Sequence, residues 1–295
     1  MKKYIYMYGQ VMSTHSFLLS GNFPKPDGEA DIKEKYHVIG GETGTASAVL
    51  TSLGLFVKLG GTHLGRMNKE LITDYFKDKA DISELVCENF DGVIDYVMID
   101  KDTRTVFGEW SRLYGRATPF YERPNEESIK NAMCCGIDPF FYPDLSAELC
   151  AKHKKKYATI DCRYDSFINR HCSINALSHH YLKDAYPDIG FETLFKLYTE
   201  NTDGLVIFTR GEQELMYGRK GQPPKYFKPY TLDIISTLGA GDSFKAGTVY
   251  ALCNNMSDDD TVKYASAVAG IACTKFPIAQ NPPTPAEVER LIKTT

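Results

Sequence analysis

A glycine-rich turn followed by an acidic residue is the first stretch of this chain whose residue types could do chemistry. It reads Gly239-Ala240-Gly241-Asp242 and opens a helix that is predicted to run to about Asn254. Small residues leave the turn backbone uncovered and permit positive φ, and the free N–H groups and dipole of the following helix favour an anion. Asp242 adds a carboxylate to this anion site, which predicts a base beside a developing negative charge.

A plainer interpretation of the same turn stays open at this point. Acidic residues commonly cap the free amides at a helix N-terminus. The apolar run Asp233–Ile235 before the turn is expected to be the end of a strand. Under this interpretation the turn is an ordinary strand-to-helix connection, and Asp242 does nothing beyond holding the helix.

Strand and helix patterns alternate from one end of the chain to the other. Short apolar runs of strand length stand at Tyr4–Gly9, Phe56–Leu59, Cys134–Ile137, Tyr157–Asp161 and Gly204–Thr209, with helical spacing between them. Such alternation is typical of a parallel sheet that is covered by helices on both faces. We predict an α/β fold with a doubly wound, mostly parallel sheet flanked by helices.

One part of the chain departs from this alternation. Val93–Asp100 and Thr103–Trp110 each alternate in polarity and are joined by Lys101-Asp102, which is typical of a hairpin. We expect the hairpin to pair with residues 11–20 as a small separate sheet.

The composition argues against several classes of partner. The 295 residues carry a net charge of −4, and basic and aromatic residues are not interleaved, so nucleic acid is not an expected partner. No run of about 18 apolar residues occurs, so no membrane partner is expected either. The eight cysteines show no C-x-x-C spacing, which favours a reduced, cytoplasmic protein.

Several motifs that would indicate other chemistries are missing. The sequence has no Gly-Lys dipeptide and therefore no Walker-type phosphate loop. Phe244 stands where a dinucleotide-binding turn would have its third small residue. The adjacent pair His179-His180 would point to two faces of a helix, so no metal-binding residue is assigned.

Four segments resemble the ribokinase-like (PfkB-type) carbohydrate kinase family. Ser236–Phe244 resembles the C-terminal signature, with Ser236 in place of its usual Asp, and Gly40-Gly41 before a helix of small residues is similar to the N-terminal signature. Leu205–Gly211 resembles the strand and turn that meet the nucleotide, and Thr284–Val288 resembles the closing helix. The resemblance extends over nearly the whole chain.

The resemblance implies a fold and a reaction. The fold is a single domain over residues 1–295 with a small β lid, whose strands are inserted at about 11–35 and 90–118. The reaction is transfer of the γ-phosphate of ATP, with Mg²⁺, to a hydroxyl of a small sugar or sugar derivative. Asp242 would be the base that takes the hydroxyl proton.

The resemblance also implies roles for residues outside the base itself. The backbone amides at the start of the helix would hold the transferred phosphate, and two further sets would bind ATP and the acceptor. These residues are Gly239, Ala240, Gly241 and Asp242 for the phosphate, Thr209, Gly211, Thr237 and Ser266 for ATP, and Thr14, Gly40, Gly41 and Thr45 for the acceptor.

The chain departs from the family at three polar positions. Thr14 and Thr45 stand where the family usually has Asp and Asn, so the acceptor pocket is expected to be altered. The segment Ser178–Tyr181 lacks the carboxylate of the family's Asn-x-x-Glu element. Mg²⁺ would then be held mainly by the nucleotide phosphates and water, with Asp161 as a candidate to assist.

Two other functions and one assembly remain open from the sequence. A nucleoside kinase of the same fold would use aromatic residues of the lid, such as Phe17, Phe107 and Trp110, to stack on a base. The altered polar positions also fit a non-catalytic ligand-binding or regulatory protein. Open strand edges in the lid suggest a homodimer formed through it. In every case the expected partner is a small molecule, a sugar or a nucleoside.

Overall fold

A nine-stranded sheet forms the body of the chain. The structure, a computed structural model, describes residues 2–87, 90–100, 103–111 and 120–294. The sheet order is β13-β12-β11-β10-β9-β8-β1-β4-β5, in which every neighbouring pair from β11 to β5 is parallel and β12 and β13 are antiparallel. The strands are β1 Ile5–Gly9, β4 Val57–Gly61, β5 Ala80–Asp81, β8 Cys135–Ile137, β9 Tyr157–Ile160, β10 Ile174–Ser178, β11 Leu205–Arg210, β12 Gln213–Gly218 and β13 Lys225–Phe227.

Alternate residues of these strands enter hydrophobic cores on opposite faces of the sheet. Ile5 and Met7 of β1 belong to one core, whereas Tyr6 and Tyr8 belong to another. Such two-sided burial is expected of a parallel sheet with helices on both faces. The helices of the described residues are α1 Glu42–Ser52, α2 Gly65–Phe76, α3 Glu126–Asn131, α4 Pro143–Lys152, α5 Phe167–His171, α6 His179–Ala185, α7 Phe191–Glu200, α8 Ala240–Cys253, α9 Asp258–Cys273 and α10 Pro285–Lys293.

Helix α8 is buried along most of its length because small residues let its neighbours approach. A Cβ on Gly247 would lie 2.5 Å from Ala265 Cα of α9, so only glycine fits at this crossing. The segment from Ser243 to Val249 is buried without interruption. The packing fixes the direction in which the first turn of α8 points.

A second, four-stranded sheet has the order β3-β2-β6-β7. Its strands are β2 Met12–Leu19, β3 Ile32–Gly40, β6 Ile94–Ile99 and β7 Arg104–Gly108. The hairpin expected around residues 93–110 corresponds to β6 and β7, and β6 pairs in parallel with β2. β3 continues beyond the expected boundary at residue 35 and leads through Gly40 and Gly41 into α1. The predicted Lys101-Asp102 connection and residues 112–118 of the expected lid lie outside the described residues.

The expectation of a strand end at Asp233–Ile235 is wrong. This stretch is irregular, and the N–H groups of Ile235 and Ser236 both donate to the carbonyl of Cys273 at the end of α9. Ile234 and Ile235 are 53% and 65% exposed. The apolar run is bound to a helix end, not to a strand, which explains why its side chains are not buried in the sheet.

The expected fold class is confirmed: the sheet is large, mostly parallel and flanked by helices. No helix within residues 2–87, 90–100, 103–111 and 120–294 combines the length and apolar character needed to cross a membrane.

Candidate active site

The turn that opens α8 requires glycine at its first position. Gly239 is the N-cap residue with φ +78, and a Cβ there would lie 2.9 Å from Ile278 Cδ1. Gly241, by contrast, has open space where a Cβ would stand. The amide of Ala240 donates to the carbonyl of Thr237 at 3.2 Å. The amides of Gly241 and Asp242 belong to the first turn, where a helix provides no acceptors of its own. The turn is therefore built as an anion site.

Asp242 lies in this first turn as a half-buried side chain. Burial raises the pKa of its carboxyl to about 7, while Lys245 and Arg104 act in the opposite direction. The helix is capped by Gly239 without any side-chain hydrogen bond, so Asp242 is not its cap. A carboxyl that titrates near neutral pH suits a general base.

A lysine that sequence reasoning missed stands one helical turn further along α8. Lys245 is 0% exposed, and its Nζ lies 2.5 Å from Oε1 of Glu42, the first residue of α1. Burial opposes the charged form of Lys245, but Glu42 and Asp138 hold its pKa above the ordinary value. Its position three residues after Asp242, in a helix of small residues, is the signal that could have identified it.

Two further acids follow strands β8 and β9. Asp138 accepts backbone hydrogen bonds from Gln10 and Phe140, each at 3.0 Å, and Asp161 accepts from the N–H and Oγ of Ser178 at 2.7 and 2.9 Å. Burial raises the pKa of both carboxyls. Both acids influence the charge of Asp242.

The sheet topology brings these groups together. Asp138 follows the carboxyl end of β8, and Asp161 follows that of the neighbouring parallel strand β9. The strand on the other side of β8 is β1, which ends at Gly9 at the same edge of the sheet. Ligands bind at this edge in open α/β sheets, where the strand order reverses. The candidate site therefore lies where the fold predicts a ligand.

The structure brings the predicted acceptor residues to the same place. A Cβ on Gly40 would lie 1.8 Å from Oγ1 of Thr14, and a Cβ on Gly239 would lie 3.3 Å from Cγ2 of Thr45. Gly41 has φ +74 and is the N-cap of α1. These contacts place the start of α1 directly beside the anion turn of α8.

The second sheet covers the site from one side. Arg104 at the start of β7 donates through Nη1 to Oγ1 of Thr237 at 2.9 Å. Thr14, Asp95 and Gly108 are register partners on the same face of the sheet as Arg104. We call this the inner face.

Asp95 is a second residue that sequence reasoning missed. Its Oδ1 is buried and has no hydrogen-bond partner among the described residues. Burial raises its pKa to about 6, and a hydrogen bond from Trp110 acts in the opposite direction. Asp95 thus stands on the strand next to Thr14, where the family's carboxylate was expected and is missing.

The aromatic residues considered for base stacking do not share one face. The face opposite the inner face, the outer face, carries the register partners Phe107, Tyr96 and His15. Phe17 lies on the same face, because it is two residues from His15. Trp110 is different, because a Cβ on Gly108 would lie 2.2 Å from its ring. Of the three aromatic residues, only Trp110 lies near the inner face.

The predicted ATP-binding residues are spread over three elements. Thr209 and Gly211 lie at the end of β11, where Thr209 donates to the carbonyl of Leu177 at 3.3 Å and Gly211 has φ +63. Ser266 is 6% exposed on α9, and Thr237 directly precedes the anion turn. Their roles stay predictions.

The donor set is consistent with Mg²⁺ that is held mainly by phosphates and water. Both carboxyl oxygens of Asp161 already accept hydrogen bonds from Ser178. No cluster of three or more His, Cys, Asp or Glu side chains placed to hold a metal occurs among the described residues.

Comparison with known proteins supports the expected family. Residues 191–285 match the model of the pfkB family carbohydrate kinases. The fold matches ribokinase of Arabidopsis thaliana, solved with ribose and ATP, with a TM-score of 0.80 and 16% identity over 100% of both chains. The chain has a ribokinase-like fold. The pfkB match over residues 191–285 supports the expected family.

Two further comparisons show how far the likeness extends. The ribokinase-like chain matches the nucleoside kinase of Methanocaldococcus jannaschii with a TM-score of 0.76 and 19% identity, covering 100% of this chain and 99% of that one. It is 32% identical to 5-dehydro-2-deoxygluconokinase of Bacillus licheniformis over 101 residues, which are 34% of this chain and 31% of the relative. The sequence match therefore spans about a third of that relative's length.

The family match covers only one side of the site in this ribokinase-like chain. The matched segment 191–285 contains the anion turn, Asp242 and all four predicted ATP positions. It ends far from Thr14, Thr45 and Asp95 in sequence. The family match therefore gives no information about the residues that would select the acceptor.

Proposed function

We propose that this ribokinase-like chain is an ATP-dependent kinase that transfers the γ-phosphate to a hydroxyl of a small sugar or sugar derivative. The observation that carries the proposal is the position of Asp242, whose carboxyl has a pKa of about 7 in the first turn of α8. The glycine-shaped anion turn and the base stand side by side. Phosphoryl transfer needs this combination of positioning and charge stabilisation.

Each group of the site has a step in the proposed reaction. The amides of Gly239, Gly241 and Asp242 bind the transferred phosphoryl group, and the Asp242 carboxylate accepts the proton of the attacking hydroxyl. The Arg104 guanidinium, bonded to Thr237, adds positive charge beside the turn. Mg²⁺ bound to the nucleotide phosphates would offset part of their charge. The inner face of the small sheet shields the reacting groups from water.

The charges around the pocket favour an acceptor without negative charge. Five carboxyls lie on the site or the inner face, against two cations, Lys245 and Arg104. These carboxyls belong to Glu42, Asp95, Asp138, Asp161 and Asp242. An anionic acceptor would meet repulsion in a poorly solvated pocket. We expect neutral sugars and amino sugars to be better acceptors than sugar acids.

An acceptor screen tests the proposed function. The chain is incubated with ATP, Mg²⁺ and panels of neutral sugars, amino sugars, sugar acids and nucleosides, and phosphorylated products are detected by mass spectrometry. We expect turnover of about 1 s⁻¹ or more with at least one neutral or amino sugar. Absence of transfer to every acceptor would favour the ligand-binding or regulatory alternative.

The nucleoside kinase alternative now depends on Trp110. It is 45% exposed, is the only tryptophan of the chain, and lies near Asp95. A stacked base would change its fluorescence strongly, whereas a sugar would change it little. Quenching by nucleosides together with nucleoside phosphorylation in the screen would replace the sugar kinase proposal with this one.

Association through the small sheet is proposed as the assembly of the chain. Phe107 and Tyr96 on the outer face are 48% and 37% exposed, and Phe23 stacks on Phe107 at a centroid distance of 6.3 Å. Exposed aromatic clusters are typical of interfaces. Light scattering that gives the mass of one chain would contradict a homodimer.

A further inference from the structure

The strongest unexplained feature of the site is the buried ion pair between α1 and α8. Lys245 has no exposed surface, the side chain of Glu42 is 9% exposed, and the two are 2.5 Å apart. The pair joins the helix that begins at Gly41 to the helix that carries Asp242. It therefore links the proposed acceptor side to the proposed base.

A buried lysine is costly unless something requires it. Removing an ammonium and a carboxylate from water costs several kcal/mol per ion by general estimates, at roughly the level that their attraction repays. An apolar pair of similar size would pack these helices at least as well. The charge itself is thus the feature that needs an explanation.

The charges that face Asp242 come from five elements. Lys245 lies on the same helix and Arg104 on β7, and both favour the ionised carboxyl, whereas Asp138 after β8 and Asp161 after β9 disfavour it. Glu42 on α1 faces the same group, because Asp242 contributes to the raised pKa of Glu42. Lys245 is the one cation of this set that is fully buried, so water screens its effect least.

We propose that Lys245 and Glu42 are a positioning pair that holds the first turn of α8 against α1 and maintains Asp242 as an ionised proton acceptor. The inference rests on the proposed kinase function. Lys245 supplies positive charge one helical turn from Asp242, and Glu42 fixes the position of that charge. Neither residue needs to touch the reacting atoms.

The two partners are expected to move the pH profile in opposite directions. The base must be deprotonated, so kcat/KM should rise with pH through the pKa of Asp242. Lys245→Met removes a cation and shifts this acid limb to higher pH, by about one unit, because an opposite charge nearby typically shifts an acid by one unit or more. Glu42→Gln removes an anion but keeps Lys245 and shifts the limb to lower pH.

The effects on kcat and KM distinguish a positioning role of the ion pair from a role in ATP binding. At pH 7 Lys245→Met should lower kcat about fivefold, because a one-unit rise in the pKa of a half-ionised base lowers its ionised fraction by about that factor. The KM for ATP should change less than twofold. The double variant Lys245→Met with Glu42→Gln removes both buried charges, so it should fold even where a single variant leaves an uncompensated charge.

A matched ion pair away from the site serves as the control. Lys58 and Glu84 are 3.0 Å apart with side chains 19% and 16% exposed. Lys58→Met should lower the melting temperature without moving the acid limb. The proposal is overturned if Lys245→Met, Glu42→Gln and the double variant all lower stability like this control but keep the wild-type pH profile.

A second readout does not require turnover. The carboxyl of Asp242 is titrated by NMR in protein with ¹³C-labelled aspartate, with Asp242→Asn used to assign its signal. Lys245→Met should raise the Asp242 pKa and Glu42→Gln should lower it. Wild-type protein that phosphorylates no acceptor would refute the kinase proposal alone, whereas an unchanged Asp242 titration in all three variants would refute the positioning pair alone.

Discussion

Two helices begin at the candidate active site, and each follows a glycine with positive φ, but their first turns differ. Helix α1 follows Gly41 with φ +74, and helix α8 follows Gly239 with φ +78, in both cases without a side-chain cap. The first turn of α1 begins with Glu42, which is paired with Lys245. The first turn of α8 has no side chain at Gly241 and remains open.

The difference teaches which helix start is free to bind a phosphate. A carboxylate in the first turn offsets the positive end of the helix dipole, and at α1 that carboxylate, Glu42, is buried against Lys245. At α8 Gly241 has open space where a Cβ would stand, and Asp242 is the next residue of the turn. We therefore propose that phosphate binds at α8 and that α1 positions the acceptor.

Asp242→Asn is the variant with the largest expected effect on this assignment. The amide keeps the shape of the turn but cannot accept the hydroxyl proton, so kcat should fall by about 10²–10⁴. ATP binding, measured by calorimetry, should persist because the amides of the turn are unchanged. Turnover within threefold of the wild type would show that Asp242 is not the base.

Gly239→Ala and Gly241→Ala compare two positions of the same turn. A Cβ at Gly239 meets Ile278 Cδ1 at 2.9 Å in a left-handed backbone, whereas Gly241 has open space. Gly239→Ala should lower the unfolding free energy by about 1–2 kcal/mol and reduce kcat about tenfold as the amides move.

Gly241→Ala is the matched control for stability. It should leave the unfolding free energy unchanged or raise it by up to about 1 kcal/mol, because alanine favours a helix over glycine. Denaturant unfolding of both variants measures the contrast. Equal destabilisation at the two positions would contradict the geometry that is described for the turn.

The α8 side of the site could be predicted from the sequence because its geometry is local. Gly239 to Asp242 are consecutive residues at a helix start, and backbone freedom, free amides and a carboxylate are all properties of neighbours in sequence. The parallel sheet was predictable for a similar reason, since each strand is a short apolar run. The one error near the turn, at Asp233–Ile235, arose because an exposed apolar run resembles a buried one in sequence.

Two features of the acceptor side, the ion pair and Asp95, could not be predicted because they depend on residues that are far apart in the chain. The pairing of Glu42 with Lys245 spans 203 residues. Asp95 reaches the inner face only through the register of β6 with β2. No local pattern contains such contacts, and Thr14 alone gave no indication that a carboxylate stands on the next strand.

Arg104→Met is expected to have a moderate effect, through charge. Arg104 favours the ionised form of Asp242 and bonds to Thr237. Its loss should raise the pKa of Asp242 above about 7, which moves the acid limb of kcat/KM to higher pH and lowers activity at pH 7 several-fold. Arg104→Lys should retain most of the wild-type profile, and identical profiles for Arg104→Met and wild type would show that the second sheet does not influence the base.

Asp95→Asn is expected to have the smallest effect on turnover and a measurable effect on stability. Burial raises the pKa of Asp95 from 3.8 to about 6. A carboxyl whose pKa is higher in the folded state binds its proton more tightly there, so the unfolding free energy falls as pH rises from about 4 to 6. The variant lacks this ionisation and should melt about 2–4 °C higher than the wild type at pH 7, but not at pH 4.

The exposed acid Asp188 provides the comparison for Asp95. Asp188→Asn should leave the melting temperature unchanged at both pH values, since its carboxyl is surrounded by water. A higher melting temperature for Asp95→Asn at pH 7 would mean that the chain retains a destabilising acid on the inner face. Such an acid is expected where a ligand supplies the missing hydrogen bond, so the KM of the acceptor should rise in the same variant. A lower melting temperature at pH 7, or an unchanged acceptor KM, would remove Asp95 from the acceptor side of the site.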